Sequence, residues 1–278
     1  MPYTVFVYGT LLRTMSRASE MKKSKFKGPG FIRAELYDLG AYPGVQRGES
    51  EVVGEIYEVD SSTLAQLDRI EGYNASSPTT SLFMRKTVEA TSLADGSRIS
   101  AFAYFLDDAG KDGTFIDHGD YRRHILERSN AENWVVAYGS NIGRPRLAAR
   151  VGELSEFKKG FLEGFQLVFN KKAAGKKTVY ANIKYIGTGS CPAIAWKLTA
   201  AQTKLLDSFE GVPSHYVRIS IPFVTQREIL LSQVYIAHPS KLLNGLMPET
   251  TYVEYIRNGY SEHGLGEEYL DDAITKIT

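Results

Sequence analysis

Gly54-Glu-Ile-Tyr-Glu-Val-Asp-Ser-Ser-Thr-Leu-Ala-Gln-Leu-Asp-Arg-Ile-Glu-Gly72 and Ala193-Ile-Ala-Trp-Lys-Leu-Thr-Ala-Ala-Gln-Thr-Lys-Leu-Leu-Asp-Ser-Phe-Glu-Gly211 are one pattern written twice, without a gap. Each begins with an apolar, aromatic strand: Ile56, Tyr57 and Val59 in one, Ile194, Trp196 and Leu198 in the other. A polar cap follows, Asp60-Ser61-Ser62 or Thr199, as expected before a helix. The helical pattern then closes on Leu-Asp-x-x-Glu-Gly, with the glycine placed as a stop. Glu71 follows Leu67 by one helical turn, and Glu210 follows Leu206 likewise, so each glutamate falls on the face its leucine buries. A carboxylate there is costly unless it is paired or working. One such glutamate reads as a solvated or capping side chain. Two in one frame point to a site, although duplication from one ancestor preserves structural patterns as well.

The opening is also repeated. Thr4-Val-Phe-Val-Tyr8 breaks at Gly9-Thr10-Leu11, and Trp134-Val-Val-Ala-Tyr138 breaks at Gly139-Ser140-Asn141. A buried strand ending in a glycine turn leaves backbone N–H groups free to meet an anion. Two long copies mean duplicated domains and not a solenoid. The boundary is placed after a Gly/Asp-rich stretch and a charged helical segment (Tyr121 to Glu132), giving domains 1–129 and 130–278. Each half reads as several short strands with few helices, hence a curled antiparallel or mixed sheet of the α+β class. Tyr180–Tyr185 is expected to pair with Ile194–Leu198 across a glycine turn. The basic runs Lys22–Lys27 and Lys171–Lys177 read as solvated.

The 278 residues suit two domains, each with its own core. A net charge of +1 gives no reason to expect nucleic acid or an acidic membrane as partner. A single cysteine, Cys191, excludes an internal disulfide and fits a reducing compartment. The start of the chain carries no signal-peptide pattern, and no apolar run approaches the roughly 18 residues of a membrane span. A soluble, cytoplasmic protein is expected; its oligomeric state is not legible. His118, His124, His215, His238 and His263 show no metal-ligand spacing. No nucleophile elbow, phosphate loop or dinucleotide pattern occurs. If the protein is an enzyme, the nucleophile belongs to its substrate.

Several motifs resemble one family. Val7-Tyr8-Gly9-Thr10-Leu11-Leu12 and Ala137-Tyr138-Gly139-Ser140-Asn141 are similar to the signature turn of the γ-glutamylcyclotransferase-like superfamily. The first is closer to its γ-glutamylamine cyclotransferase (AIG2-like) branch, the second to the branch acting on γ-glutamyl amino acids. Gly40-x-Tyr42-Pro43-Gly44, His118-Gly119-Asp120-Tyr121, both Leu-Asp-x-x-Glu-Gly motifs, Tyr216-Val217-Arg218 and the Tyr252–Leu270 tail extend the resemblance over almost the whole chain. It implies two tandem small mixed β-barrels with a few short helices, a glutamate acid/base, 5-oxoproline as product and no cofactor or metal. Glu71 and Glu210 are then the expected catalytic residues. Tyr8, Gly9, Thr10, Leu11, Tyr138, Gly139, Ser140, Asn141 and Tyr216 are expected to bind a small γ-glutamyl substrate. Phe83-Met84-Arg85 lacks the hydroxyl of Tyr216-Val217-Arg218, so the second domain is expected to carry most turnover. One live and one degenerate domain, or a non-catalytic anion-binding protein, are the alternatives.

Overall fold

The computed structural model describes residues 2–277, the side chain of Thr79 apart. Its contacts divide into two compact units: residues up to Ser92 with Gly96–Ile125, and Leu93–Asp95 with everything from Leu126 on.

In the first unit the strands are β1 (Tyr3–Val7), β2 (Lys25–Asp38) and β3 (Pro43–Val59), followed by helix α1 (Ser61–Ile70), β4 (Met84–Ser92) and β5 (Arg98–Phe105). The short α2 (Ala109–Asp112) and β6 (Thr114–Phe115) precede α3 (Tyr121–Ser129), within which the change-over between units falls. The ring β2-β3-β1-β5-β4 closes on itself, and β6 is added at the edge of β2. Only β1 and β5 run parallel, with Val5 opposite Phe102. Successive residues of a strand face opposite ways, and both faces of β1 are covered. Phe6 and Tyr8 join Ile32, Leu36, Val52 and Ile56 inside the barrel. Val5 and Val7 lie with Leu64 and Leu67 of α1. This explains why β1 reads as a continuous apolar run instead of an alternation. The side chain of Asp60 caps α1 by accepting the Thr63 N–H at 2.7 Å, and Gly72, at φ +64°, stops it.

The second unit repeats the circuit strand for strand. It contains β7 (Glu132–Ala137), α4 (Arg144–Val151), β8 (Phe157–Lys172), β9 (Val179–Thr199), α5 (Ala200–Glu210), β10 (Tyr216–Thr225) and β11 (Ile229–Ala237), then α6 (Thr250–His263) and α7 (Glu268–Thr275). Its closed ring is β8-β9-β7-β11-β10, again with one parallel pair, β7 and β11. Thr199 and Gln202 form a reciprocal capping box at the start of α5, and Gly211 ends it in the left-handed region at φ +65°. The chain is thus two tandem mixed β-barrels of the α+β class.

Two expectations fail. Tyr180–Tyr185 does not pair with Ile194–Leu198, because both lie on the single 21-residue strand β9. Tyr185 is opposite Phe165 of β8, while Ile194 is opposite Ala137 of β7 and Lys159 of β8. Gly187 and Gly189, at φ +81° and +69°, deform the strand without reversing it. The second failure is the run Lys171–Lys177, which is not simply a solvated loop: β8 extends to Lys172, and Lys171 is only 5% exposed.

The hairpins also differ in length. The first ends at the pair Asp38–Pro43. In the frame that sets Gly54 over Ala193, that pair corresponds to Val168–Asn182, and the second hairpin continues beyond it to Lys172–Val179. Among the described residues no helix is long and apolar enough to cross a membrane.

Candidate active sites

Each glycine turn is riveted to its barrel by the preceding tyrosine. The buried Tyr8 hydroxyl donates to the Tyr104 carbonyl at 2.6 Å, and Tyr138 donates to the Tyr235 carbonyl at 2.6 Å. Burial foremost, and the neighbouring glutamate charge next, push both phenols well above their ordinary range. Tyr8 and Tyr138 are therefore fixed donors to backbone, and they position the turn behind them.

The same two partner tyrosines hold the glutamate helices. Tyr104 donates its hydroxyl to Asp68 at 2.8 Å, and Arg85 pairs with that carboxylate at 2.6 Å. Tyr235 donates to Asp207 at 2.8 Å, and Arg218 grips Asp207 through two bonds of 2.8 Å. A bidentate arginine fixes a carboxylate in orientation as well as position. The Asp of Leu-Asp-x-x-Glu-Gly is thus the anchor that places the glutamate three residues on. Strand register sets Arg85 opposite Tyr104 and Arg218 opposite Tyr235, so Phe83 and Tyr216 occupy equivalent places. Sequence reasoning missed Tyr104 and Tyr235. Their one signal is a tyrosine at matching places in β5 and β11.

In the first barrel, Glu71 and the turn Gly9-Thr10-Leu11 line one cavity of about 110 Å³, together with Tyr8, Arg17, Pro43 and Phe83. The amides of Gly9, Thr10 and Leu11 make no hydrogen bond to the protein among the described residues. Gly9 is needed because a Cβ there would lie 2.6 Å from the Pro43 ring, which accounts for the pairing of these two motifs. The Glu71 carboxyl accepts no hydrogen bond among the described residues; partial burial, outweighing the opposing charge of Arg17, pushes its pKa up to about 7.

Below the turn lies a buried ionic cluster peculiar to this barrel. Glu55 accepts the Arg13 N–H at 3.0 Å, the Arg13 side chain at 3.1 Å, Arg122 at 2.7 Å and the Tyr57 hydroxyl at 2.8 Å. Burial pushes Glu55 upward, but the two guanidiniums overcome it and hold the carboxyl at about 2. Arg122 also donates to the Arg13 carbonyl at 3.1 Å, so the cluster clamps the loop that follows the turn. His118-Gly119-Asp120-Tyr121 serves this clamp. Gly119, at φ +68°, passes so close to Glu51 that a Cβ would meet its carbonyl at 1.9 Å, and Asp120 caps the helix carrying Arg122. In the second barrel Ile194 stands where Glu55 does.

The second cavity is larger, about 540 Å³, and includes Tyr138, Gly139, Ser140, Asn141, Glu210 and Tyr216. The turn amides again find no acceptor in the protein among the described residues. Glu210 differs sharply from Glu71: its Oε1 accepts from Arg150 at 2.8 Å and from Asn141 at 2.9 Å. Arg150 also donates to the Asn141 side chain at 2.9 Å, closing a three-membered network. The Tyr216 hydroxyl donates to the Ala181 carbonyl at 2.7 Å, so its proton is committed to backbone and not to a ligand. Tyr252 of α6 accepts the Ala181 N–H at 3.2 Å and bonds the Ser140 hydroxyl; burial first of all pushes its phenol up to about 12.

Comparison with known proteins agrees with this architecture. Residues 5–123 match the family model described as gamma-glutamyl cyclotransferase, AIG2-like, and residues 193–272 match the one described as AIG2-like family. The chain is 35% identical over 127 residues to a Vibrio cholerae protein provisionally named a gamma-glutamylcyclotransferase, covering 45% of this chain and 100% of that one. It is 36% identical over 83 residues to the gamma-L-glutamyl-butirosin B gamma-glutamyl cyclotransferase of Niallia circulans, covering 29% of this chain and 53% of that one. The crystal structure of YkqA from Bacillus subtilis superposes with a TM-score of 0.78 at 19% identity, covering 100% of this chain and 99% of that one. That last likeness concerns the fold.

Proposed function

The chain belongs to the gamma-glutamyl cyclotransferase, AIG2-like family, and from that premise we propose that it is a γ-glutamyl(amine) cyclotransferase releasing 5-oxoproline. The α-amine nitrogen of the substrate bonds to its own γ-carbonyl carbon, and the γ C–N bond breaks. One proton passes from the attacking to the leaving nitrogen, so the reaction consumes no water. Intramolecular attack has a high effective molarity, and the protein mainly has to hold the bent conformer. The free amides at Gly9-Thr10-Leu11 and Gly139-Ser140-Asn141 are suited to the substrate carboxylate or the developing oxyanion.

The observation that carries this reading is Glu71. A carboxyl with a pKa of about 7 and no hydrogen-bonded partner among the described residues takes and returns a proton at neutral pH without breaking another interaction. Acid/base work is therefore assigned to the first barrel before the second, the reverse of the sequence expectation. Glu210 has to part from Arg150 to do the same, and Tyr216 does not help it. That ion pair favours, as the second reading for the second barrel, binding of a γ-glutamyl ligand with little turnover.

The test is 5-oxoproline release from a panel of γ-glutamyl amines and dipeptides by the wild type, Glu71→Gln, Glu210→Gln and the double variant. Loss of most release on γ-glutamyl amines in Glu71→Gln is expected. Full release in the double variant overturns the mechanism.

A further inference from the structure

The segment behind each glycine turn is held at two points, and the two barrels use unrelated residues to do it. Both turns close on the same backbone bond, Leu12 N–H to the Gly9 carbonyl and Ile142 N–H to the Gly139 carbonyl, each at 3.0 Å. Past the first turn, Glu55 accepts the N–H of Arg13 and Arg122 donates to its carbonyl. The second barrel has Ile194 at the place of Glu55, so this solution is closed to it. Its substitute comes from α6. Glu262 accepts the Arg144 N–H, with its two oxygens at 3.1 and 3.4 Å. The His263 Nε2 donates to the Ile142 carbonyl at 3.1 Å. A carbonyl only accepts, so that nitrogen carries the proton.

The hold is built into the packing of α6. The His263 side chain is 4% exposed, and its ring packs edge-on against Phe157 and Trp196, at 4.8 and 5.5 Å between centres. Gly259, one turn before, brings the helix onto the chain: a Cβ there would lie 2.8 Å from the Gly143 nitrogen and from Ile142. Arg144 opens α4 behind Gly143, a residue with no side chain to cap it. A carboxylate is a favoured partner of a helix N-terminus, and Glu262 supplies one from α6. At its other end α6 reaches Ser140 through Tyr252. The helix thus touches the chain from Ser140 to Arg144, and α4, which starts there, carries Arg150 to Glu210. In each ring the carbonyl donor stands on the helix that follows the last strand, α3 after β5 and α6 after β11. A hold kept at one place by different chemistry indicates a requirement of the turn.

We propose that Glu262 and His263 are positioning residues of the second site: they hold the amides of Gly139-Ser140-Asn141 in the arrangement that receives a carboxylate. Neither lines the cavity, so both act through the backbone of the turn. The anion-binding role of the turn rests on the cyclotransferase reading; the hold of α6 on the turn does not.

Nuclear magnetic resonance of the full chain tests both parts. The probe is glutaric acid monoethylamide, which has the carboxylate and amide of a γ-glutamyl amine but no α-amine to cyclise. Its titration should move the Gly139, Ser140 and Asn141 amide signals of the wild type. Glu262→Ala, and His263→Phe, which keeps a ring but loses the donor, should each weaken that affinity by about 10-fold or more, the scale of a lost positioning contact. Both should also speed exchange of the Ile142 amide by about 10-fold. Glu262→Gln retains an acceptor for Arg144 and should stay within about threefold of wild type in both readouts. The Gly9, Thr10 and Leu11 signals should report unchanged affinity in every variant, which a general loss of stability would not allow. Wild-type exchange at Ile142 in both Glu262→Ala and His263→Phe overturns the inference, as does undiminished affinity in both or an equal loss at the two turns. Either variant serves alone if the other does not fold. If the probe leaves the wild-type turn unmoved, the anion-binding reading fails, and exchange at Ile142 still decides whether Glu262 and His263 hold the turn.

Discussion

Arg150 donates to Glu210 at 2.8 Å, and no arginine among the described residues makes an ion pair with the equivalent Glu71. The two barrels share circuit, turn and helix cap, yet they hold the same carboxylate in different states. The first leaves it exchangeable and the second ties it down.

The first prediction follows from that difference. In Glu210→Gln, release of 5-oxoproline from a γ-glutamyl amine should rise with pH through a midpoint near 7, since the base form of Glu71 appears there. In Glu71→Gln this step should vanish. A profile of kcat/KM against pH for both variants decides, and an unchanged midpoint in Glu71→Gln would assign the ionisation elsewhere.

The same group affects stability. A carboxyl whose pKa is raised on folding, here from 4.5 to about 7, favours the folded state only while protonated. Its contribution is intact below pH 4.5 and is lost as pH climbs through about 7. Relative to wild type, Glu71→Gln should gain in Tm between these limits and hold a constant advantage above them. Calorimetry from pH 4 to pH 8 provides the check, and parallel curves would mean that Glu71 is not raised.

Gly9 and Pro43 should behave as one unit. A Cβ on residue 9 meets the Pro43 ring at 2.6 Å, so Gly9→Ala has to displace the turn or the hairpin. Loss of about 10²-fold or more in first-barrel turnover is expected, the scale of misplaced donors. Adding Pro43→Ala should restore part of it. Equal loss in the single and double variants would show that the amide path, and not the proline, sets the geometry.

Glu55→Gln should cost about 3–5 kcal/mol, because it leaves the buried Arg122 without a counter-charge. Urea unfolding followed at the first barrel measures it. A cost below 1 kcal/mol would mean that the cluster relaxes, and the loop clamp attributed to it would fall.

The sequence made the duplication legible because strand, cap, helix and stop are local events, each set by residues a few positions apart. It placed Glu71 and Glu210 in one frame for the same reason. Register and burial were not legible. Lys171 reads as one lysine of a basic run until β8 is seen to carry it inside, and Arg150 meets Glu210 only because α4 and α5 pack together. Tyr104 and Tyr235 lie far in sequence from the aspartates they hold, and no spacing announces them. Phe83 and Tyr216 were correctly matched as counterparts, but the donor role read into Tyr216 overlooked the Ala181 carbonyl, which only the folded hairpin brings within reach.

Tyr104 and Tyr235 have a mechanical consequence. Each grips the glycine turn through its carbonyl and the glutamate helix through its hydroxyl. The two walls of each cavity are thereby geared to one residue, and a displacement of either is passed to the other. The glutamate helix cannot move away from the turn on its own, and the tips of the β2–β3 and β8–β9 hairpins are among the walls left outside this linkage. The two hairpins differ in length, and a change there leaves the hold of Tyr104 and Tyr235 on turn and helix untouched.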